Sequence, residues 1–392
     1  MKITGYREYV TQHDWHRVVG DVNGVSVGHR TDVQVLVITT DVGLEGISVT
    51  TAGPLNTARV FPAVDGQDPR GATALYDQML ALLFKAGHNG ELFATVGAID
   101  HALWDLKAKA ADEPLWRLLG GRSRFVPGYA SALEFGLQDD EVVGVYERFA
   151  AAGFAGAKVK GGRDVDDDVR RLRLVRDVMG QNSVRPAMMF DANEVWNRSQ
   201  AVRHIRQLEA AVELTWVEEP VRRWDAAGMA AIRHATGAGV ASGENLTGLE
   251  QYRPLLDADA LDVVQFNSGW GVTHALRVAA IAHARDLPVS PIGFTPVIAH
   301  ATTAMPNHLT TEIQDLGLPL GVRMDQEIVD GGYLLGTAPG AGIDLDEVLI
   351  RDLPRSAGWR TSGGPHVRPE RAGLRIVPDD RHHEANEAEV GS

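Results

Sequence analysis

The chain has no cysteine among its 392 residues. That excludes disulfide staples, thiolate nucleophiles and cysteine-ligated zinc. Lysine is also scarce, at six residues against thirty-two arginines. Positive charge as a whole falls short: 38 Lys and Arg face 52 Asp and Glu, a net charge of −14. No basic run interleaves with aromatics, which argues against nucleic acid and against an anionic membrane surface as partners. No apolar run approaches the ~20 residues that a membrane helix needs. The opening MKITGYREYV has no apolar core behind its charge, so no signal peptide is expected. These absences leave a soluble, cytoplasmic protein acting on a small molecule. If that molecule is an anion, the positive field it meets must be local, from a few side chains or a metal.

What the chain does have is a hydrophobic content of 44%, enough for two domains or for one barrel with an added domain. Residues 1 to about 55 read as strands, with VQVLVITT (33–40) and DVGLEGISVT (41–50) forming a hairpin. From about 70 to 119 the pattern is helical. Val96, Ile99, Leu103 and Leu106 fall at helical spacing, and Gly120 and Gly121 signal the stop. After Phe125 short apolar runs alternate with amphipathic helices. The runs are VPGYASAL, AKVK, PAMMFDAN, TWVEEP, VASGEN, LDVVQFN, LPVSPIG and LTTEIQ. Eight strands alternating with helices predict a parallel α/β barrel. DVDDDV at 164–169 reads as an acidic first helical turn, not as a calcium loop, whose glycine and final glutamate are missing. A Gly-rich region follows at 320–350, and the polar stretch from Asp379 reads as a disordered tail.

In such a barrel the side chains at the C-terminal ends of the strands converge on one mouth, where chemistry sits. Strand two ends with Lys158 and Lys160. Strand three ends with Asp191 and Asn193, strand four with Glu218 and Glu219, and strand five with Glu244 and Asn245. Carboxylates on three successive strands repel unless a cation binds them, and an all-oxygen set suits a hard ion such as Mg2+. Asp191, Glu218 and Glu244 are the expected ligands. Lys158 and Lys160, two apart, share a strand face and point into the mouth together. Burial and a close like charge each lower a lysine pKa. A proton acceptor near neutral pH can be lysine but not arginine. Lys160 is therefore the expected base, and Lys158 its tuning neighbour. Asn193, Asn245, Asn267, Trp270 and the capping-loop His16 are candidate substrate contacts.

The ordered set AKVK, MMFDAN, TWVEEP, ASGEN and PNHLTTE resembles the enolase superfamily, and within it the mandelate racemase-like group. The resemblance implies an α+β capping domain over 1–124 and a (β/α)7β TIM-like barrel over 125–345. A C-terminal segment, 346–392, would return to the cap. It implies one Mg2+ on Asp191, Glu218 and Glu244, removal of a proton α to a carboxylate, and an enediolate held by the metal. It also implies that Glu312 hydrogen-bonds the substrate carboxylate, and that the chain assembles as a dimer or octamer. Two features depart from the group. Gln265 or Asn267 stands where strand six often carries an aspartate, and Ile292 stands where strand seven often carries a histidine. A racemase needs a base on each face of its planar intermediate, and only one base is evident. This favours loss of water from a sugar acid over racemisation. The acid that assists is open between Lys158, a water on the metal, His13 and His16. An epimerase with an unrecognised second base and a metal-binding barrel without catalysis are the alternatives.

Overall fold

The computed structural model describes residues 1–361. The tail expected from Asp379 lies outside them.

The N-terminal strands Ile3–Asp14, Arg30–Thr40 and Glu45–Thr50 form an antiparallel sheet in that order. The expected hairpin is the second and third of these. The long helix Gly90–Ala110 packs on this sheet through a fully buried face that includes Val96, Ile99, Leu103 and Leu106. The helical run does not continue to Gly120 as the spacing predicts. It ends at Ala110, Asp112 turns through a φ of 55°, and a separate short helix spans Leu115–Leu118. Pro114 explains the break, since it has no N–H to donate and disfavours helical backbone before it.

The barrel follows. Its eight strands are Phe125–Ser131, Gly156–Lys160, Ala187–Asp191, Trp216–Glu218, Gly239–Ser242, Val263–Asn267, Val289–Ile292 and Thr311–Ile313. Each pairs in parallel with the next from one to seven, and strand eight pairs in parallel with strand one. Leu309 N donates to Val289 O at 2.9 Å and closes the ring between seven and eight. Seven helices alternate with the strands, from Asp139–Ala151 to Ile298–Thr302. Short apolar strands covered on both faces are what parallel sheets require.

Within helix Val165–Met179 the acidic run has a local role. Asp164 caps the helix, accepting from the backbone of Asp166 and Asp167. Asp168 turns inward, is buried, and accepts Gly162 N at 3.0 Å.

Two sets of contacts fasten the cap to the barrel. On one side Asp100 accepts Thr273 N at 2.8 Å and Thr273 Oγ1 at 2.6 Å, while Trp104 Nε1 donates to the same hydroxyl at 2.9 Å. On the other side the C-terminal segment returns to the cap. Glu347 accepts Arg7 Nη2 and Tyr9 OH, each at 2.7 Å. Strand Trp359–Thr361 pairs with Gly24–Ser26, which pairs with Gly20–Asp21. That capping loop meets the barrel where Gly20 N donates to Leu133 O at 2.8 Å.

Candidate active site

Strand register builds the site. Lys160 pairs with Asp191, and Asp191 with Glu218, so base, ligand and ligand stand in one row across strands two to four. Glu244 follows strand five by two residues. One oxygen from each of Asp191, Glu218 and Glu244 lies within 4.8 Å of the others. Lys158 lies one layer deeper and has no exposed surface. Its Nζ is 2.6 Å from Glu218 Oε1, 2.9 Å from Glu312 Oε1 and 3.5 Å from Asp191 Oδ2. Lys160 Nζ is 2.5 Å from Asp191 Oδ2.

The two glycines after the lysines have a steric reason. A side chain at Gly161 would strike Asp168 and the Phe190 ring. Gly162 adopts a φ of 116°, and its carbonyl accepts Trp196 Nε1 at 2.7 Å. Backbone strain is concentrated at the same mouth. Asn193, Glu194 and Glu219 have φ values of 42°, 62° and 42°. Such conformations persist only where the surroundings enforce them. Here Asn193 N donates to Asp191 Oδ1 at 2.8 Å, and Asn245 Nδ2 donates to Glu219 and Glu244 at 3.0 and 3.1 Å.

Counting Glu219 and Glu312, five carboxylates face two ammonium groups. This buried excess of negative charge, presented by oxygen donors alone, fits one hard divalent cation on Asp191, Glu218 and Glu244. The electrostatics agree. Burial raises the pKa values of Glu218 and Glu244, and the charge of Asp191 adds to both. Asp191 goes the other way: burial would raise it, but Lys160 and Lys158 hold it below the usual range.

The surroundings of the lysines act in both directions. Burial and the charge of Lys158 do act to lower Lys160, yet Asp191, Glu244 and Glu218 outweigh them and leave it above the ordinary lysine range. Lys158 is likewise held up, against burial, by Glu218 and Glu312. Without a cation on the carboxylates, the lysines are their counter-ions.

Of the other expected residues, Glu312 joins the cluster and also accepts Gly293 N at 2.6 Å. Trp270 packs edge-on to Phe93, and its Nε1 donates to Glu244 O at 3.1 Å. Asn267 pairs with Ile292 across strands six and seven, and its Oδ1 caps a turn by accepting Gly269 N at 2.8 Å. His16 is not brought to the mouth. Its side chain is 78% exposed, at a backbone φ of 55°, and turns to Asp14. His13 is buried and paired with Asp315, Nε2 to Oδ2, at 2.8 Å. His300 is buried, and neither ring nitrogen has a hydrogen-bond partner among the described residues.

Two residues, Glu134 and Arg17, escaped the sequence reading, and a third, Gln265, was named there only as standing where an aspartate is often found. Gln265 Nε2 donates to Glu218 Oε2 at 2.7 Å and orients that carboxylate. Glu134 follows strand one and accepts Lys160 N at 2.7 Å; the strand-end rule applied to SALEF finds it. Arg17 carried no sequence signal.

An eight-stranded parallel barrel with carboxylates on three successive strands, a lysine pair on the strand before them and an α+β cap above defines an enolase-type enzyme. Comparison with known proteins places it further. The Mandelate racemase / muconate lactonizing enzyme N-terminal domain matches residues 10–120, and the Enolase C-terminal domain-like family matches 141–349. A 3,6-anhydro-alpha-L-galactonate cycloisomerase of Streptomyces coelicolor is 33% identical over 72% of this chain and 78% of its own. An L-talarate/galactarate dehydratase of Salmonella typhimurium is 30% identical over 73% and 72%. Among solved structures, a Streptomyces coelicolor racemase with bound magnesium superposes with a TM-score of 0.81 at 27% identity, covering 89% of this chain and 98% of that one. An L-talarate dehydratase of Polaromonas sp. JS666, complexed with Mg and L-glucarate, gives 0.77 at 27%, covering 89% and 96%. The chain belongs to the mandelate racemase/muconate lactonizing enzyme family of the enolase superfamily.

Proposed function

We propose that this protein is a Mg2+-dependent acid-sugar dehydratase with Lys160 as its base. Asp191, Glu218 and Glu244 would hold the ion, whose Lewis acidity lowers the cost of negative charge developing on the substrate carboxylate. With those carboxylates committed to a cation, Lys160 loses the anionic partners that keep it protonated. Lys158 beside it then favours the neutral amine. Neutral Lys160 takes the α-proton at Nζ. Lys158, at the floor of the mouth, would hold and orient the substrate carboxylate, with Glu312 fixing Lys158 through their 2.9 Å ion pair and itself bonding the substrate only when it carries a proton to donate. Gln265 keeps Glu218 turned toward the ligand set. As the α-C–H bond breaks, a double bond forms to the β-carbon and the β-hydroxyl departs. It leaves as water, taking its proton from an ammonium of the lysine pair. The enol product relaxes to a 2-keto-3-deoxy acid.

The observation that carries this reading is the one-sided mouth. Lys160 faces the carboxylates, while Asn267 and Ile292 occupy paired positions on strands six and seven. Neither side chain accepts a proton near neutral pH. Elimination needs one base; racemisation needs two. The relatives named as dehydratases support the same choice.

The test is proton NMR in D2O with Mg2+ and a panel of sugar acids, with Lys160→Ala in parallel. A 2-keto-3-deoxy acid absent with the variant is the expected result. Lys160-dependent loss of the α-proton signal alone would instead identify an isomerase, the reading favoured by the 33% identical cycloisomerase. Silence across the panel would leave a metal-binding barrel without this chemistry.

A further inference from the structure

The proposed reaction leaves one buried carboxyl group beside the base without a task. Lys160 ends barrel strand two, and the neighbouring strand stops short of it. Strands one and two pair only from Ala130–Ala157 to Ser131–Lys158. The Lys160 amide lies beyond that register, and Glu134 Oε1 accepts it at 2.7 Å. Glu134 is fully buried. Its other oxygen lies 3.1 Å from Tyr146 OH, which donates to Lys158 O at 2.6 Å. A carboxyl group and a phenol thus hold both lysines by the main chain, while the two Nζ atoms face the carboxylates of the mouth.

The turn that carries Glu134 is itself pinned. Leu133 has a φ of 52°, a conformation that a leucine keeps only where its surroundings enforce it. Leu133 O accepts Gly20 N of the capping loop at 2.8 Å. Arg171 Nη1 donates to the carbonyls of Glu134 and Phe135, each at 3.3 Å, and Arg171 Nη2 to that of Leu137 at 2.7 Å. Tyr146 stands on helix Asp139–Ala151 and Arg171 on helix Val165–Met179, so two barrel helices brace the turn. Bracing of this kind bears on rate, because a reacting group displaced by about 1 Å can lose about a hundredfold. Burying a carboxyl group is a costly way to satisfy a single N–H, which points to a role beyond filling the end of a strand.

We propose that Glu134 is a positioning residue for the reaction: its hydrogen bond to the Lys160 amide sets where the base stands relative to the α-proton. Glu134 acts through the main chain of Lys160 and carries none of the transferred protons. This rests on the reading of Lys160 as the base. What the site requires of Glu134 is an acceptor at Oε1. Glutamine meets that requirement, since its carbonyl can accept Lys160 N while its amide N–H donates to the Tyr146 oxygen. Alanine and methionine do not.

Two measurements on the Mg2+-loaded full chain test this. The first needs no substrate: hydrogen exchange at the Lys160 amide, read by mass spectrometry with fragmentation to single residues. Glu134→Ala should speed that exchange about tenfold or more, and Glu134→Gln should leave it near the parent. The second is steady-state kinetics in D2O with a panel of pentonates, hexonates and hexarates, followed by loss of the α-proton signal. Glu134→Ala should lower kcat about ten- to hundredfold, with KM and the calorimetric Mg2+ affinity within about twofold of the parent; Glu134→Gln should keep kcat within about threefold. If the alanine variant does not fold, Glu134→Met, which fills the same space without an acceptor, takes its place. An unchanged amide exchange or an unchanged kcat in the alanine variant would overturn the proposal. So would a glutamine variant as slow as the alanine one, or a fall in kcat matched by losses in KM and Mg2+ affinity, the mark of a mouth disturbed as a whole. Each of those outcomes, with Lys160 still required for turnover, refutes the Glu134 role alone. Absence of Lys160-dependent chemistry with every acid refutes the dehydratase reading, and the role of Glu134 with it.

Discussion

Thr273 is the place where the attachment of cap to barrel can be weighed. Its hydroxyl donates to Asp100 and accepts from Trp104 Nε1, and all three residues are buried. Thr273→Val removes the hydroxyl and keeps the shape. It strands the Trp104 N–H and takes one donor from Asp100. An unsatisfied buried donor costs about 1–3 kcal/mol and a bond to a charged group about 1.5–3 kcal/mol, so the loss is about 3–5 kcal/mol. It also depends on pH. Burial pushes the Asp100 carboxyl up to about 7, and the Thr273 bonds pull against that shift. A folded-state pKa raised above the unfolded one means the folded protein binds the proton more tightly. Asp100 therefore favours folding in acid, and that advantage is lost as pH rises toward 7. Without the hydroxyl the carboxyl moves higher still, so the variant goes on losing stability above pH 7. Urea unfolding at about pH 5.5 and pH 8, followed by tryptophan fluorescence, reads this directly. The variant should lose about 3–5 kcal/mol at the higher pH and less at the lower. Thr273→Ser keeps both bonds and should lose only about 1 kcal/mol for its methyl group. A variant within about 1 kcal/mol of the parent at pH 8, or one hurt more in acid, would refute the argument.

Replacing Lys160 by Met should slow α-proton exchange by about 10^2–10^4, the range for a lost general base; exchange followed by NMR in D2O checks this, with circular dichroism confirming the fold. Glu244→Gln should weaken Mg2+ binding in calorimetry and remove the rise in melting temperature that Mg2+ gives the parent, since an ion bound only by the folded state stabilises it; an unchanged affinity would take Glu244 out of the ligand set. Burial pushes His101, His274 and His300 down to about 4, 3 and 4. Their folded forms bind protons less tightly than the unfolded chain, so the stability they contribute is present above the usual histidine range and lost as pH falls. By about pH 5 each costs about 2 kcal/mol, and denaturant midpoints should drop steeply between about pH 6.5 and 5.

Much of the architecture was legible along the chain. The run AKVK followed by helix DVDDDVRRLRLVRDVM shows a strand and its crossover, because apolar runs and 3.6-residue spacing are local properties. The metal trio was legible for a related reason. Carboxylates that end three successive strands must share a mouth once the barrel closes, and repulsion then demands a cation. Pro114 stood in plain view, yet continuous periodicity on both sides of it masked the break at Ala110.

What the sequence by itself determined is the element order, the barrel and the identity of the charged residues at its mouth. Local pattern and side-chain chemistry suffice for those. Only the tertiary structure decided the state of those charges. Whether Lys160 stands above or below its usual pKa depends on its 2.5 Å approach to Asp191, and Coulomb energy depends on distance, which spacing along a strand does not encode. The same holds for Arg17. Nothing near it in the chain marks it out. Folding alone seats its guanidinium on the Trp15 ring, with none of its three nitrogens given a hydrogen-bond partner among the described residues.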